Sequence, residues 1–475
     1  MTRSARAFTA LLLAVVLAAL AVPLGLHYGP QIAQLIQEPQ AEAEPEVPAI
    51  LRGPDEVSVP TLVAQLHPEA PLPAAGELAP LLTSALEVPG GTPVSAVVLD
   101  VLTGEALFDQ GGSEVQLPAS NIKLLTAAAV LAKVDPEKRL ETTVHTGGTA
   151  ADNVLVLRGG GDVLLGSGES NPDAVIGRAG VATLAEQTAA ALDDEGAYRV
   201  VLDDTLFAGP VLNASWQLGD VQAGEIAPIY PLAINSAWLD ESKQSGARAQ
   251  DAGLAAAAVF REALIAKGVE VAEGIERQAV PDGSAVVASV ESATVEEQVE
   301  HMLLTSDNYL AEVLARVAAA ESGRPASFGG GLETIAEVIA SLEVSTEGMV
   351  LGDAAGLSPR NRVSPRQLAD VMRTVLRTDN RALRHLLHGL PVASLSGTLA
   401  ERYDDADAPA FAGAGLVRAK TGTLNAVTAL SGHVVTADGR LLVFSFIASG
   451  LDGTTEPARN AVDAAAAVLA GCGCR

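Results

Sequence analysis

The chain has 475 residues, of which 48% are hydrophobic, enough to bury more than one core, and its length suggests about three domains. A formal charge of -28 excludes a nucleic-acid partner, because nothing in that balance attracts phosphates. Both cysteines, Cys472 and Cys474, lie in the last four residues. So short a pair is a poor disulfide loop and lacks the ligand set of a structural zinc site, so neither a staple nor a metal is expected.

Arg3 and Arg6 precede an apolar stretch from Phe8 to Leu26, and Ala19-Leu20-Ala21 offers a small-residue cleavage pattern. Residues 1–26 therefore read as an export signal. The same stretch is long enough to remain as a membrane anchor, although Pro23 and Gly25 weaken its distal end. An acidic, Pro-containing linker is expected over 27–75, centred on Glu38 to Pro48. Val94 to Asp100 and Glu105 to Asp109 predict a hairpin around Leu102-Thr103-Gly104.

Ser120-Asn121-Ile122-Lys123 follows, at the head of the apolar run Leu124 to Leu131. A helix puts positions three apart on one face, so the Lys amine can reach the Ser hydroxyl. A lone Ser attacks an amide poorly, whereas a Lys of lowered pKa beside it can take the proton. By itself the pattern also fits a helix N-cap Ser followed by an exposed Lys.

Beyond it, Asn153 to Arg158 predicts a strand running into Gly159-Gly160-Gly161, Val181 to Leu192 a helix, and Tyr198 to Leu202 another strand. Gly161 to Ser167 has the glycine spacing of a phosphate loop, but Ser167 stands where the essential Lys belongs. Helices dominate from about residue 296. Strands are expected from Arg418 to Val434 and from Arg440 to Ser449, and a last helix from about Ala458 to Leu469. His385 and His388 read as surface or packing residues, and Trp216 and Trp238 as packing anchors rather than sugar platforms.

Two further segments change the weight of the Ser120 pattern: Ser306-Asp307-Asn308, and Lys420-Thr421-Gly422-Thr423 ahead of a strand-like run. The order Ser-x-x-Lys, Ser-x-Asn, Lys-Thr-Gly is the motif set of penicillin-binding proteins and serine β-lactamases. With the long interval between the first two motifs, with Gly159 to Asp162, Asp203 to Pro210, Asp353 to Ser358 and Leu390 to Ala393, and with Ser396-Gly397-Thr398-Leu399, the chain resembles the class C low-molecular-mass penicillin-binding proteins. These are D-alanyl-D-alanine carboxypeptidases and endopeptidases of peptidoglycan.

The resemblance implies an α/β (α+β) fold of the penicillin-binding-protein and serine β-lactamase-like transpeptidase kind, with one or two inserted, mostly β domains. It places a discontinuous catalytic domain at 76–148 and 296–475 and the insertion at 149–295. Ser120 would be acylated, with Lys123 taking its proton, Ser306 relaying a proton to the leaving amine, and Asn308 bonding the substrate amide. Lys420 would supply positive potential, Thr421, Gly422 and Thr423 would hold substrate, and the backbone N–H groups of Ser120 and Thr423 would form an oxyanion hole.

Asp162 would meet the free amine of the stem peptide, and Arg360 would assist recognition. The sequence departs from the family's usual pattern at Val163, where Pro is usual, at Ala354-Ala355-Gly356, where Gly-Ser-Gly is usual, and at Pro359, where Arg is usual, with Arg360 next. Peptidoglycan stem peptides as substrate, β-lactams as inhibitors, no cofactor and an extracytoplasmic location follow from the same likeness. The readings left beside it are a serine β-lactamase and a non-catalytic protein that binds the wall or senses β-lactams. Carboxypeptidase and endopeptidase action are not separable from sequence.

Overall fold

The computed structural model describes residues 3–36, 66–67, 69–147, 153–192 and 196–473. Contacts divide the chain into two units, residues 1–61 and 62–475. In the first, a helix spans Arg3–Ile36, and its exposed stretch Ala10–Gln31, 22 residues long, reaches about 33 Å, enough to cross the hydrocarbon core of a bilayer. The helix carries Pro23 and Pro30 inside it and continues past residue 27, where a linker is expected from the sequence, to Ile36. The acidic run Glu38 to Pro48 lies outside the described residues.

The larger unit holds two five-stranded sheets. The strands in chain order are β1 (Val94–Asp100), β2 (Ala106–Gln110), β3 (Arg139–Gly147), β4 (Val154–Gly159), β5 (Arg199–Asp203), β6 (Glu276–Arg277), β7 (Val286–Thr294), β8 (Arg418–Leu424), β9 (Val427–Val435) and β10 (Leu441–Ser449). The first sheet is antiparallel in the order β2-β1-β10-β9-β8. The long strand expected from Arg418 to Val434 is two strands, turned at Asn425 and Ala426.

Alternation sorts the sheet's side chains between two cores. Val97, Leu99, Val443 and Ile447 pack with the helices Ile122–Lys133, Asn308–Glu321 and Pro365–Arg377. Val98, Phe444 and Phe446 face the helices Ala75–Ala85 and Thr455–Gly471. Because β1 is covered on both faces, all seven of its residues are buried, and its sequence reads as an apolar run up to Asp100 broken only by Ser95.

The second sheet, β6-β5-β4-β3-β7, packs against the helices Val181–Ala191 and Ala252–Ala266. It begins at Arg139, before the expected boundary at 149, because β3 pairs antiparallel with β7. The chain thus enters and leaves this sheet on neighbouring strands. The triple glycine ends β4 where backbones nearly touch: a Cβ at Gly160 would lie 2.1 Å from the Glu141 carbonyl oxygen. That close approach, rather than a phosphate, accounts for the glycines. At the C-terminal end, the expectation of no disulfide is corrected, since Cys472 is disulfide-bonded.

Candidate active site

The residue before the nucleophile, Ala119, has φ 48°, and Ala119–Asn121 form one tight turn that feeds the Ile122–Lys133 helix. This bend carries Ser120 to the rim of the helix while Lys123, one turn on, is buried completely. Opposite them, the Val295–Thr305 helix opens with a capping box between Thr294 and Glu297 and ends on Ser306 in the left-handed conformation. Asp307 then caps the next helix, accepting from Leu310 N at 3.1 Å. The motif Ser306-Asp307-Asn308 is therefore a stop followed by a start, and it turns Asn308 toward the first motif.

Lys123 Nζ lies 3.0 Å from Ser120 Oγ, 2.7 Å from Asn308 Oδ1 and 2.6 Å from the Ala355 carbonyl oxygen. Asn308 Nδ2 donates to the Glu225 carbonyl at 2.9 Å, which fixes the amide with its oxygen toward the lysine. A neutral amine has two N–H bonds and one lone pair. Asn308 Oδ1 and Ala355 O can only accept, so they take both N–H bonds and leave the lone pair for the hydroxyl of Ser120. Burial lowers the Lys123 pKa to about 8, against the opposing pull of Asp353, Asp307, Glu312 and Glu225. A base poised close to neutral pH is what proton abstraction requires.

Lys420 stands on β8, the edge strand of the first sheet, and is fully buried. Its Nζ donates to the Thr421 carbonyl at 2.9 Å. Burial, then the charges of Lys123 and Arg402, hold it well below the usual lysine range. Among the described residues no carboxylate pairs with it, whereas four carboxylates act on Lys123. A substrate carboxylate arriving there would supply the missing counter-charge.

β8 packs directly on the nucleophile's turn. A side chain at Gly422 would meet Asn121 Nδ2 at 2.7 Å and the Pro118 carbonyl at 3.0 Å. Thr423, next along, is exposed, and Thr421 Oγ1 is 2.7 Å from Thr398 Oγ1.

Ser306 and Asn308 also line a cavity of about 210 Å3 shared with Glu225, Trp238, Arg248 and His301 of the surrounding segments. The Arg248 guanidinium stacks on Trp238 at 3.4 Å, and its Nε donates to the Gly224 carbonyl. Trp238 is thus a cavity wall, while Trp216 is buried and donates from Nε1 to Asp353 at 2.8 Å.

Asp162 is not brought to this surface. It is 1% exposed, with Oδ1 accepting from Leu164 N at 2.9 Å and Oδ2 without a partner among the described residues. Burial pushes its carboxyl up to about 7. Asp162 is expected from the sequence to meet a substrate amine; here its carboxyl is enclosed by protein, with only the Leu164 N–H bonded to it among the described residues. Arg360 is exposed on the loop after Asp353, and its backbone N–H donates to Ser358 Oγ. His385 Nε2 contacts Glu296 at 3.0 Å, so an acidic neighbour that the sequence spacing hid is present, although no three such groups converge as a metal site among the described residues.

Sequence reasoning gave no role to Asp353, Glu312 or Thr398. Asp353 accepts from Gly356 N and Asn361 Nδ2 through Oδ1, and from Leu357 N, Ser358 N and Trp216 Nε1 through Oδ2. It thereby shapes the loop that presents Ala355 O to Lys123. The available signal was an acidic residue opening a Gly-containing loop. Glu312 carried a plainer one, since it stands one helical turn beyond Asn308.

Comparison with known proteins is decisive at this point. Residues 78–244 and 239–470 match the D-Ala-D-Ala carboxypeptidase 3 (S13) family. The chain belongs to that family. It is 36% identical over 410 residues to Carboxypeptidase DacB of Mycolicibacterium smegmatis, covering 85% of this chain and 86% of that one. It is 28% identical to a D-alanyl-D-alanine carboxypeptidase of an Actinomadura species, covering 82% and 84%. The fold matches the crystal structure of penicillin binding protein 4 from Haemophilus influenzae with a TM-score of 0.62 at 21% identity, covering 81% of this chain and 97% of that one. The protein is a serine-type carboxypeptidase, a hydrolase of the low-molecular-mass class C penicillin-binding proteins.

Proposed function

We propose that the protein cleaves D-alanyl-D-alanine bonds of peptidoglycan stem peptides through an acyl-enzyme on Ser120. The observation that carries this is the arrangement around Lys123 Nζ, in which two acceptors occupy the N–H bonds and the lone pair faces Ser120 Oγ. In acylation, Ser120 Oγ bonds to the carbonyl carbon of the penultimate D-alanine and passes its proton to Lys123. The C–N bond then breaks as Ser306 gives its proton to the departing amine and takes the one held by Lys123, which leaves the lysine neutral again. Water attacks the ester in the second half, its proton passing to Lys123 and from there to Ser120 Oγ as the acyl group leaves as a carboxylic acid.

The terminal carboxylate of the substrate lies against Lys420 and Thr421 in this reading, and Asn308 bonds the substrate amide. The backbone N–H groups of Ser120 and Thr423 stabilise the oxyanion, each such donor lowering the barrier by about 3 kcal/mol. A β-lactam enters the same path, because its ring amide mimics the scissile bond and its opening leaves the acyl group in place.

The same acyl-enzyme serves release of a terminal D-alanine and opening of a cross-link, since the two differ only in the amine that leaves. Digesting purified muropeptides and weighing the products distinguishes them. Free D-alanine from pentapeptides marks the first and monomers from dimers the second, and neither product would refute the assignment. Slow release of the penicilloyl group separates this enzyme from a β-lactamase, which would turn the antibiotic over rapidly.

Work on the wall requires an extracytoplasmic location, and the apolar helix over Ala10–Gln31 supports one, as a signal or an anchor. A reporter that functions only after export, fused behind Pro48, is expected to be active. Activity confined to a cytoplasmic reporter would contradict this placement.

A further inference from the structure

Glu312 is 2% exposed and lies on the helix that starts at Asn308. Nothing in the acylation steps uses it, yet burying a carboxyl is costly unless its oxygens are bonded. Its Oε1 accepts from Ala354 N at 2.7 Å and from Ala355 N at 2.9 Å. The carbonyls of the same two residues point the other way: Ala354 O accepts from Thr126 Oγ1 at 2.8 Å and Ala355 O from Lys123 Nζ at 2.6 Å. Thr126 and Lys123 belong to one turn of the nucleophile's helix. Two successive peptide units are therefore clamped between Glu312 on one side and the base's helix on the other.

We propose that Glu312 is a positioning residue for the general base: by holding the Ala354 and Ala355 N–H groups it aims the Ala355 carbonyl at Lys123, and its charge sets how readily that lysine gives up its proton. The proposal rests on the reading of Ser120 as nucleophile and Lys123 as base. One helix then serves the base twice, directly through Asn308 and through the loop from Glu312, four residues on.

The groups facing this carboxyl are Asp353 from the loop, Arg316 on its own helix, on which Tyr309 also acts, and Lys123, on which Asp307 and Glu225 also act. Burial and Asp353 push the Glu312 carboxyl up to about 8, against its two backbone bonds and Arg316. Burial likewise brings the Lys123 ammonium down to about 8. Two groups titrating together in one range share their steps, so the rise of activity with pH is broad and belongs to the pair.

The test is the second-order rate of acylation by a fluorescent penicillin, followed from about pH 6 to about pH 10, in the full-length wild type, Glu312→Gln and Glu312→Ala. Glu312→Gln keeps an oxygen for the loop N–H groups and removes the charge. Its plateau is expected to stay within about threefold of wild type, while the rising limb becomes a single-proton curve displaced to lower pH by about half a unit or more. Glu312→Ala, which loses the acceptor, should lower the plateau at least about tenfold.

A wild-type limb in Glu312→Gln, or a wild-type plateau in Glu312→Ala, overturns the proposal. A lowered melting temperature with both curves unchanged marks Glu312 as a packing residue only and overturns it equally. Should Glu312→Ala not fold, the limb of Glu312→Gln decides alone. Labelling of Ser120→Ala distinguishes the two levels: a labelled Ser120→Ala refutes the acyl-enzyme itself, whereas an unlabelled one together with an unmoved Glu312→Gln limb refutes only this inference.

Discussion

At Lys123 two opposing effects are visible on one amine: burial drives the proton off, and the surrounding carboxylates hold it on. The neutral form is the reactive one, so acylation should rise with pH through the range that Lys123 shares with Glu312 and level off above it. A flat profile across that range would remove Lys123 from the role of base. Lys123→Ala and Lys420→Ala should each slow penicillin acylation by at least about a hundredfold, and the double variant by much less than the product, because members of one catalytic unit do not contribute separately. Stopped-flow labelling of the three variants measures this.

The pairing of Ser120 with Lys123 was legible in the sequence because helical spacing alone puts them together. The acceptors that orient the amine were not, because Ala355 acts through its backbone carbonyl, which no side-chain pattern reveals. The burial of Asp162 was not legible either: a carboxylate beside a triple glycine suggests a ligand site, and whether its turn is open or enclosed is decided by tertiary packing.

Among the elements, the tightest tolerances lie where two segments press on the nucleophile's turn. The triplet Ala354-Ala355-Gly356 departs from Gly-Ser-Gly at two positions and retains the third. Gly356 has φ +101°, and a Cβ on it would come within 2.2 Å of the Ala119 carbonyl oxygen and 2.8 Å of Ser120 N. Ala354 and Ala355 are buried without such conflict.

Gly356→Ala is therefore expected to displace the Ser120 backbone and reduce acylation by at least about tenfold, and Gly422→Ala, which meets Asn121 and Pro118, to do likewise. Wild-type acylation rates in either variant would show that the turn gives way freely. The sequence disclosed both glycines as motif members but not their reason, since the atoms they make room for are distant in the chain. It also disclosed the strands β1, β4 and β10 within a residue or two, because a buried strand writes a mostly apolar run. The turn between β8 and β9 was missed because Asn425-Ala426 interrupts that run only briefly.

For the larger unit as a whole, Val163 and Leu164 share a core with Ile122 and Leu310, and the enclosed Asp162 beside them makes that core sensitive to pH. Its carboxyl titrates near 4 when unfolded and at about 7 when folded. Between those values the folded state holds a proton that the unfolded state has lost, so stability falls as pH rises from about 4 to about 7 and stays reduced above. Glu312, raised to about 8, adds a loss of the same sign.

Asp162→Asn should abolish its share. Relative to wild type the variant is expected to be unchanged near pH 4 and more stable near pH 8 by on the order of a few kcal/mol, with penicillin acylation unaffected. Denaturant melts at the two pH values measure the difference, and equal stabilities at both would refute the enclosed, protonated carboxyl. The long interval between the first two motifs was visible in the sequence, but the membership of β3 in the second sheet was not, because β3 continues directly from the nucleophile's segment and joins that sheet only by its pairing with β4 and β7.

The central claim is that Ser120 carries the acyl group, and mass analysis of a proteolytic digest after incubation with a penicillin tests it most directly. The account predicts a penicilloyl adduct on the peptide that contains Ser120, and none on Ser120→Ala with an unchanged circular dichroism spectrum. An adduct on any other residue of the wild type, or undiminished labelling of Ser120→Ala, would contradict it.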